Sequence, residues 1–214
     1  MTAESRTIQI KTEGMQKVWT ETLNVETTSQ GRTETRELLG EIRVSKFDID
    51  GRMTSLTVSK KGLSFRAERQ GQKVAFSRSD SEGDKVGNVD LGESQWFDTW
   101  EQAGQFLLEK KKASILVLKI SEIVPERNIV FEIKNEGRST RQGIDVQSFG
   151  VSGTGMASLF MPKFHFWLDL KGKLVAQESF PMPEPGAGPN GPKQGPPPPG
   201  EMKMVLQEVV VVRP

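Results

Sequence analysis

Between Phe47 and Arg78 a glycine-bearing turn recurs about every ten residues, at Asp50-Gly51, Lys61-Gly62 and Gln70-Gly71. The intervening segments, Leu56-Thr-Val58, Leu63-Ser-Phe65 and Val74-Ala-Phe76, alternate apolar and polar side chains. That spacing leaves room for a strand and a tight reversal and little else, so it predicts an antiparallel meander. The meander fixes a class of fold without naming a chemistry.

The flanks extend the pattern. Gln16 to Thr28 carries Trp19, Leu23 and Val25 on one parity, Ser29-Gln-Gly31-Arg32 is a turn candidate, and Thr33 to Val44 returns as the second arm of a long hairpin. A short helix over residues 33–39, stopped by Gly40, competes with that arm. Ser79 to Gly92 is polar and reads as a loop. The best helix is 98–112. Asp98 and Glu101 have capping-box spacing, and Trp100, Ala103, Phe106 and Leu107 make one stripe. Lys110 to Lys112 suit the last turn, and Gly104 weakens the middle by about 1 kcal/mol.

Strands resume at Ala113 to Val124. Ile115-Leu-Val-Leu118 is apolar on both parities, which predicts a central strand covered on both faces. Ile129, Phe131 and Ile133 alternate with polar neighbours, Gly143 to Val151 is a further strand, and residues 163–169 and 173–180 form a hairpin about Lys171-Gly-Lys173. Residues 181–200 hold nine prolines and five glycines, which cannot pack a core and predict a disordered loop. Beyond it, Met202, Met204, Leu206, Val210 and Val212 share a face. The expected organisation is an antiparallel β domain over 1–180 with its helix at 98–112, a Pro/Gly-rich loop over 181–200, and a terminal strand within 201–214 pairing back into the domain. With one helix and about ten strands, burial is best served by a curved antiparallel sheet, half-barrel or barrel-like, packed on the helix.

Composition excludes several functions. Basic and acidic residues number 29 and 28, so no nucleic-acid-binding field is expected. The absence of cysteine removes disulfides, thiolate metal sites and a cysteine nucleophile. The longest apolar runs, Ile115 to Leu118 and Val209 to Val212, fall far short of the roughly 20 residues of a spanning helix. Met1 to Arg6 has no signal-peptide core. The expectation is a soluble chain that is not transmembrane, with an extracytoplasmic compartment favoured if a signal has been removed.

Local chemistry is sparse. Gly150-Val-Ser-Gly153-Thr-Gly155 lacks both the lysine and the following helix of a phosphate loop and reads as a connector. Asp80, Glu82 and Asp84 alternate as in a calcium loop, but glycine sits at the wrong position and Leu91 stands where a bidentate glutamate belongs. His165, the single histidine, has no nucleophile-elbow serine to serve and reads as structural. Arg36, Arg43, Arg52, Arg66, Arg69 and Arg78 lie among acids and threonines, the composition of a solvated sheet face. The proline tract reads as a spacer rather than a groove-binding motif. No catalytic residue, metal ligand or cofactor is expected.

Late in the chain stands Phe164-His-Phe-Trp-Leu-Asp-Leu-Lys-Gly-Lys-Leu-Val175. Together with the strand rhythm and the helix at 98–112, this hairpin resembles the LolA/LolB-like half-barrels that carry lipids or lipoproteins in bacterial envelopes. The resemblance is architectural, covers most of residues 16–180 and transfers no functional residue. It implies a non-catalytic carrier of an apolar small molecule or lipid in a cavity between sheet and helix. Eight methionines suit an adaptable lining. The candidate ligand-binding residues are Trp96, Trp100, Phe106 and Trp167. For Trp96 and Trp100 a core anchor is the competing role. The alternative function is a structural or interaction protein that binds a protein partner through a sheet edge or the Pro-rich loop.

Overall fold

The computed structural model describes residues 2–12, 15–122, 125, 128–141, 143–155, 158, 161–179 and 205–210. The predicted loop at 181–200 lies outside them. Fifteen strands and one helix follow in order: β1 (Thr2–Thr12), β2 (Met15–Thr28), β3 (Gly31–Leu38), β4 (Glu41–Asp48), β5 (Met53–Lys60), β6 (Leu63–Gln70), β7 (Lys73–Asp80), β8 (Gly83–Asp90), β9 (Gln95–Trp96), α1 (Trp100–Glu109), β10 (Ser114–Lys119), β11 (Ile129–Arg141), β12 (Ile144–Gly153), β13 (Phe164–Asp169), β14 (Leu174–Ser179) and β15 (Val205–Val210).

The meander runs almost unbroken. Each of β1 to β8 pairs antiparallel with its chain neighbour, as does each of β10 to β15. The reversals need residues that tolerate left-handed backbone. Gly62, at φ 77°, is one such position. β15 pairs with both β14 and β1 and so joins the two runs into one sheet, whose end strands are β8 and β9.

Chain connectivity forces that sheet to roll. Laid flat, its fourteen inter-strand steps would set β8 and β9 about 67 Å apart, at about 4.8 Å per step. The connection from Asp90 to Gln95 spans at most about 18 Å. The sheet therefore curls until its ends approach, although among the described residues no ladder closes it. The roll encloses α1, which packs on β10, β11 and β13. One core fills the interior. Phe47, Met53, Leu56, Phe65, Val74 and Phe76 enter from β4 to β7, Ile133, Phe149, Phe166 and Leu168 from β11 to β13, and Ala103, Phe106 and Leu107 from the helix. Phe149 and Phe166 stack at 4.8 Å. Each of the larger of these side chains contributes about 1.5–3 kcal/mol through burial.

Several expectations are corrected. There are fifteen described strands rather than about ten. The polar stretch at 79–92 forms the end of β7 and all of β8, because an edge strand needs no apolar face of its own. Residues 33–38 belong to strand β3 rather than a helix, and Leu39 lies in the turn that follows. The helix is shorter than 98–112, since Thr99 is its N-cap and Lys110 its C-cap, with Lys111 left-handed at φ 49°. Its capping box is Thr99 with Gln102, not Asp98 with Glu101. Asp80 lies at the β7–β8 turn, where it pairs with Arg78 and accepts from the Glu82 amide at 2.8 Å. Gly150 to Gly153 is the end of β12 rather than a connector. Among the described residues no helix is long and apolar enough to cross a membrane.

Candidate functional site

The inward parity of β3 is Glu34, Arg36 and Leu38, so this strand turns charges toward the interior. Their partners come from neighbouring β2 and from the helix. Arg36 meets Glu101 at 2.7 Å and Glu21 and Glu34 at 3.4 Å each. Gln102 donates to Glu34 at 2.8 Å, while its other side-chain atom accepts from the Asp98 and Thr99 amides at 3.1 and 3.2 Å. The helix cap is thus part of the ion cluster. The second carboxylate oxygen of Glu101 accepts from the Leu174 amide at 3.1 Å and ties the cluster to the start of β14.

A second cluster lies beside the first, because Arg43 of β4 is the register partner of Arg36. Its three guanidinium nitrogens reach Glu41, Asp98 and Glu122, each at 2.6 Å. Burial alone would favour deprotonation of both arginines. The carboxylates around them outweigh that, so both are held more firmly protonated than usual. Burial likewise raises Glu41, but its bonds to Arg43 and Lys60 leave it below the ordinary carboxylate range. Lys119 of β10 completes the group. Burial lowers it to about 8, with Asp98 and Glu122 opposing and Arg43 adding to the lowering. Its ammonium donates to the carbonyls of Phe97, at 3.3 Å, and Asp98, and lies 4.9 Å over the Trp100 ring.

Between the clusters opens a cleft of about 290 Å³ at the N-terminal end of α1. It is lined by Glu21, Arg36, Leu38, Glu41, Arg43, Asp98, Thr99, Trp100, Lys119 and Gln177. Six of these ten residues are charged, and Trp100 and Leu38 are the apolar ones. A broader depression of about 590 Å³ beyond the helix C-terminus is open to solvent and has no aromatic wall.

Of the four sequence-nominated residues, Trp100 lines the cleft, its ring edge-on to Phe131 and Phe164 at 5.1 and 5.3 Å. Trp96 is fully buried in the core, and Phe106 is buried against Phe97 at 5.4 Å. Trp167 lies elsewhere, on the opposite face of β13, between the rings and charges of His165 and Arg141. His165 itself bonds to Glu178 at 2.8 Å and lies 3.6 Å from Glu136. Sequence reasoning missed Arg36, Arg43, Glu101 and Lys119. For Arg36 the signal was the inward parity of β3, which carries charges, whereas Arg43, Glu101 and Lys119 lie on β4, α1 and β10. The predicted solvated arginine face is corrected at Arg36 and Arg78, which are buried.

These features define a β-barrel-like protein, a rolled, unclosed sheet, antiparallel except where β9 meets β10, around one helix. No protein-family model matches the chain, and no curated protein matches it. Among solved structures, it is similar to a β-barrel-like protein of a domain of unknown function, DUF1849, from Brucella abortus. The TM-score is 0.57 at 9% identity, over 99% of this chain and 97% of that one. At that identity the likeness establishes the fold alone.

Proposed function

We propose that the protein is a non-catalytic binder or carrier of a small lipid-like molecule, held in the cleft at the N-terminal end of α1. The observation that carries this reading is one wall with two characters. Trp100 and Leu38 offer apolar contact beside the polar groups of Arg36, Arg43 and Lys119. An amphiphile matches such a wall, its chain on the indole and its head among the ions. At about 290 Å³ the cleft is at the small end of the range for ligand pockets, so a single short chain suits it better than a diacyl lipid. The pairing of Arg36 and Arg43 with carboxylates fits positioning rather than acid–base catalysis. A LolA/LolB-like carrier role and an extracytoplasmic location accompany this proposal.

Titration with a fluorescent fatty-acid analogue tests it. Wild type should bind saturably at one site, and Trp100→Ala should weaken binding about tenfold, equivalent to about 1.4 kcal/mol. Absence of saturable binding by the wild type removes the carrier reading. A second reading then takes its place, interaction through the outer edge of β8. That edge has no strand partner among the described residues and carries Val86, 81% exposed.

A further inference from the structure

We propose that Lys119 is a reactive amine that holds a small apolar aldehyde in the cleft by condensing with it beside Trp100. This rests on the reading of the cleft as a ligand site and adds a ligand class to it.

An amine attacks a carbonyl only when it is neutral, when its lone pair is uncommitted and when the carbonyl can reach it. Burial and geometry together bear on these conditions. Lys119 and Trp100 both line the cleft, and the Lys119 nitrogen stands over the Trp100 ring. Two backbone carbonyls, of Phe97 and Asp98, accept from that nitrogen. A neutral amine has two hydrogens, so these acceptors engage both and leave the lone pair directed elsewhere. Arg43 directs its three nitrogens to Glu41, Asp98 and Glu122 rather than to this amine. The charged groups acting on Lys119 are Asp98, Glu122 and Arg43, and burial dominates them, so the neutral amine is well populated near pH 8.

Condensation balances without a co-reactant. The nitrogen bonds to the aldehyde carbon and passes one proton to the oxygen, giving a carbinolamine. The C–O bond then breaks, the oxygen leaves as water with the second nitrogen proton, and a C=N bond remains. Because the nitrogen stands 4.9 Å over the Trp100 ring, the aldehyde's chain would lie along the indole.

The test treats the full chain with octanal and cyanoborohydride and locates the trapped octyl group by peptide mass spectrometry. Octanol, which cannot condense, serves as competitor. The expected result is one octyl group on Lys119, ahead of exposed Lys61 and Lys111. Its rate should rise through about pH 8 and then level, whereas surface lysines keep accelerating toward about pH 10.4. Octanol should slow the labelling, and Lys119→Arg should abolish it. Octyl groups spread over exposed lysines with Lys119 unmodified would overturn the proposal, as would labelling of Lys119 that octanol leaves unchanged. If octanol displaces a fluorescent probe from the cleft while octanal spares Lys119, the ligand site stands and the reactive amine falls. If neither molecule displaces the probe, both fall. The octanol arm needs no variant, so the outcome does not depend on Lys119→Arg folding.

Discussion

A methyl group added at Gly104 would stand 2.7 Å from the Phe166 ring and 2.8 Å from Leu168. The helix therefore needs glycine here to approach β13, and the propensity it loses is the cost of that contact. Gly104→Ala should destabilise by about 1–3 kcal/mol from overpacking, against a propensity gain of about 1 kcal/mol. Thermal or urea unfolding reads the net loss, and a more stable variant would show that the helix has slack. Arg36 makes the opposite case. Replacing it with Met removes the cation shared by buried Glu21, Glu34 and Glu101, of which Glu34 keeps Arg32. A loss of about 3–5 kcal/mol is expected in urea titration. Lys119 links stability to pH. Its folded-state value of about 8 lies below the ordinary 10.5, so the fold disfavours the charged form. Below pH 8 both states are protonated and that cost is fully present. Between pH 8 and 10.5 the folded state releases its proton first and the cost is recovered. Lys119→Met should remove this rising contribution, seen as a difference between wild-type and variant stability profiles across that interval.

At the scale of elements, α1 owes its position to its cap. Thr99 accepts from the Gln102 amide at 3.3 Å, and Gln102 returns the bond while reaching Glu34. Thr99→Ala should cost about 1 kcal/mol. It should also loosen the cleft, of which Thr99 is part. Hydrogen exchange at the first turn of the helix measures both, and unchanged protection there would separate the cap from the ion cluster. The strands were the most legible elements. Glycine spacing and alternation in β5 to β7 fix both length and face, because those strands bury apolar side chains on one parity. β3 and β8 were harder for the same reason. β8 is an edge with an exposed pattern, and the inward face of β3 is charged, so neither shows the hydrophobic period. The ion clusters were not legible because their members lie far apart in sequence, Arg36 from Glu101 and Arg43 from Asp98 and Glu122. Only the rolling of the sheet brings them together. Trp100 was legible because it begins the apolar stripe of the helix, whereas Trp167 was misleading: its strand alternates and its own parity faces away from the core.

At the scale of the molecule, β15 joins the run β1 to β8 to the run β9 to β14. Truncation after Pro199 should therefore uncouple the halves, seen as a broadened or two-step melt and lower solubility, because two new edges open. A melt like that of the full chain would mean that the seam at Leu91 to Ser94 and the shared core suffice. The roll matters because it creates the cleft: β2, β3, β4, β10, β14 and the helix start each contribute to the lining. The account stands or falls on whether that composite surface binds as a unit. Two-dimensional NMR of the full chain, titrated with octanol, asks this directly. The account predicts saturable shifts, with one shared affinity, at Leu38, Arg43, Asp98 to Trp100, Lys119 and Gln177. Shifts confined to the β8 edge or to the Trp167 face, or no saturable shifts at all, would contradict it.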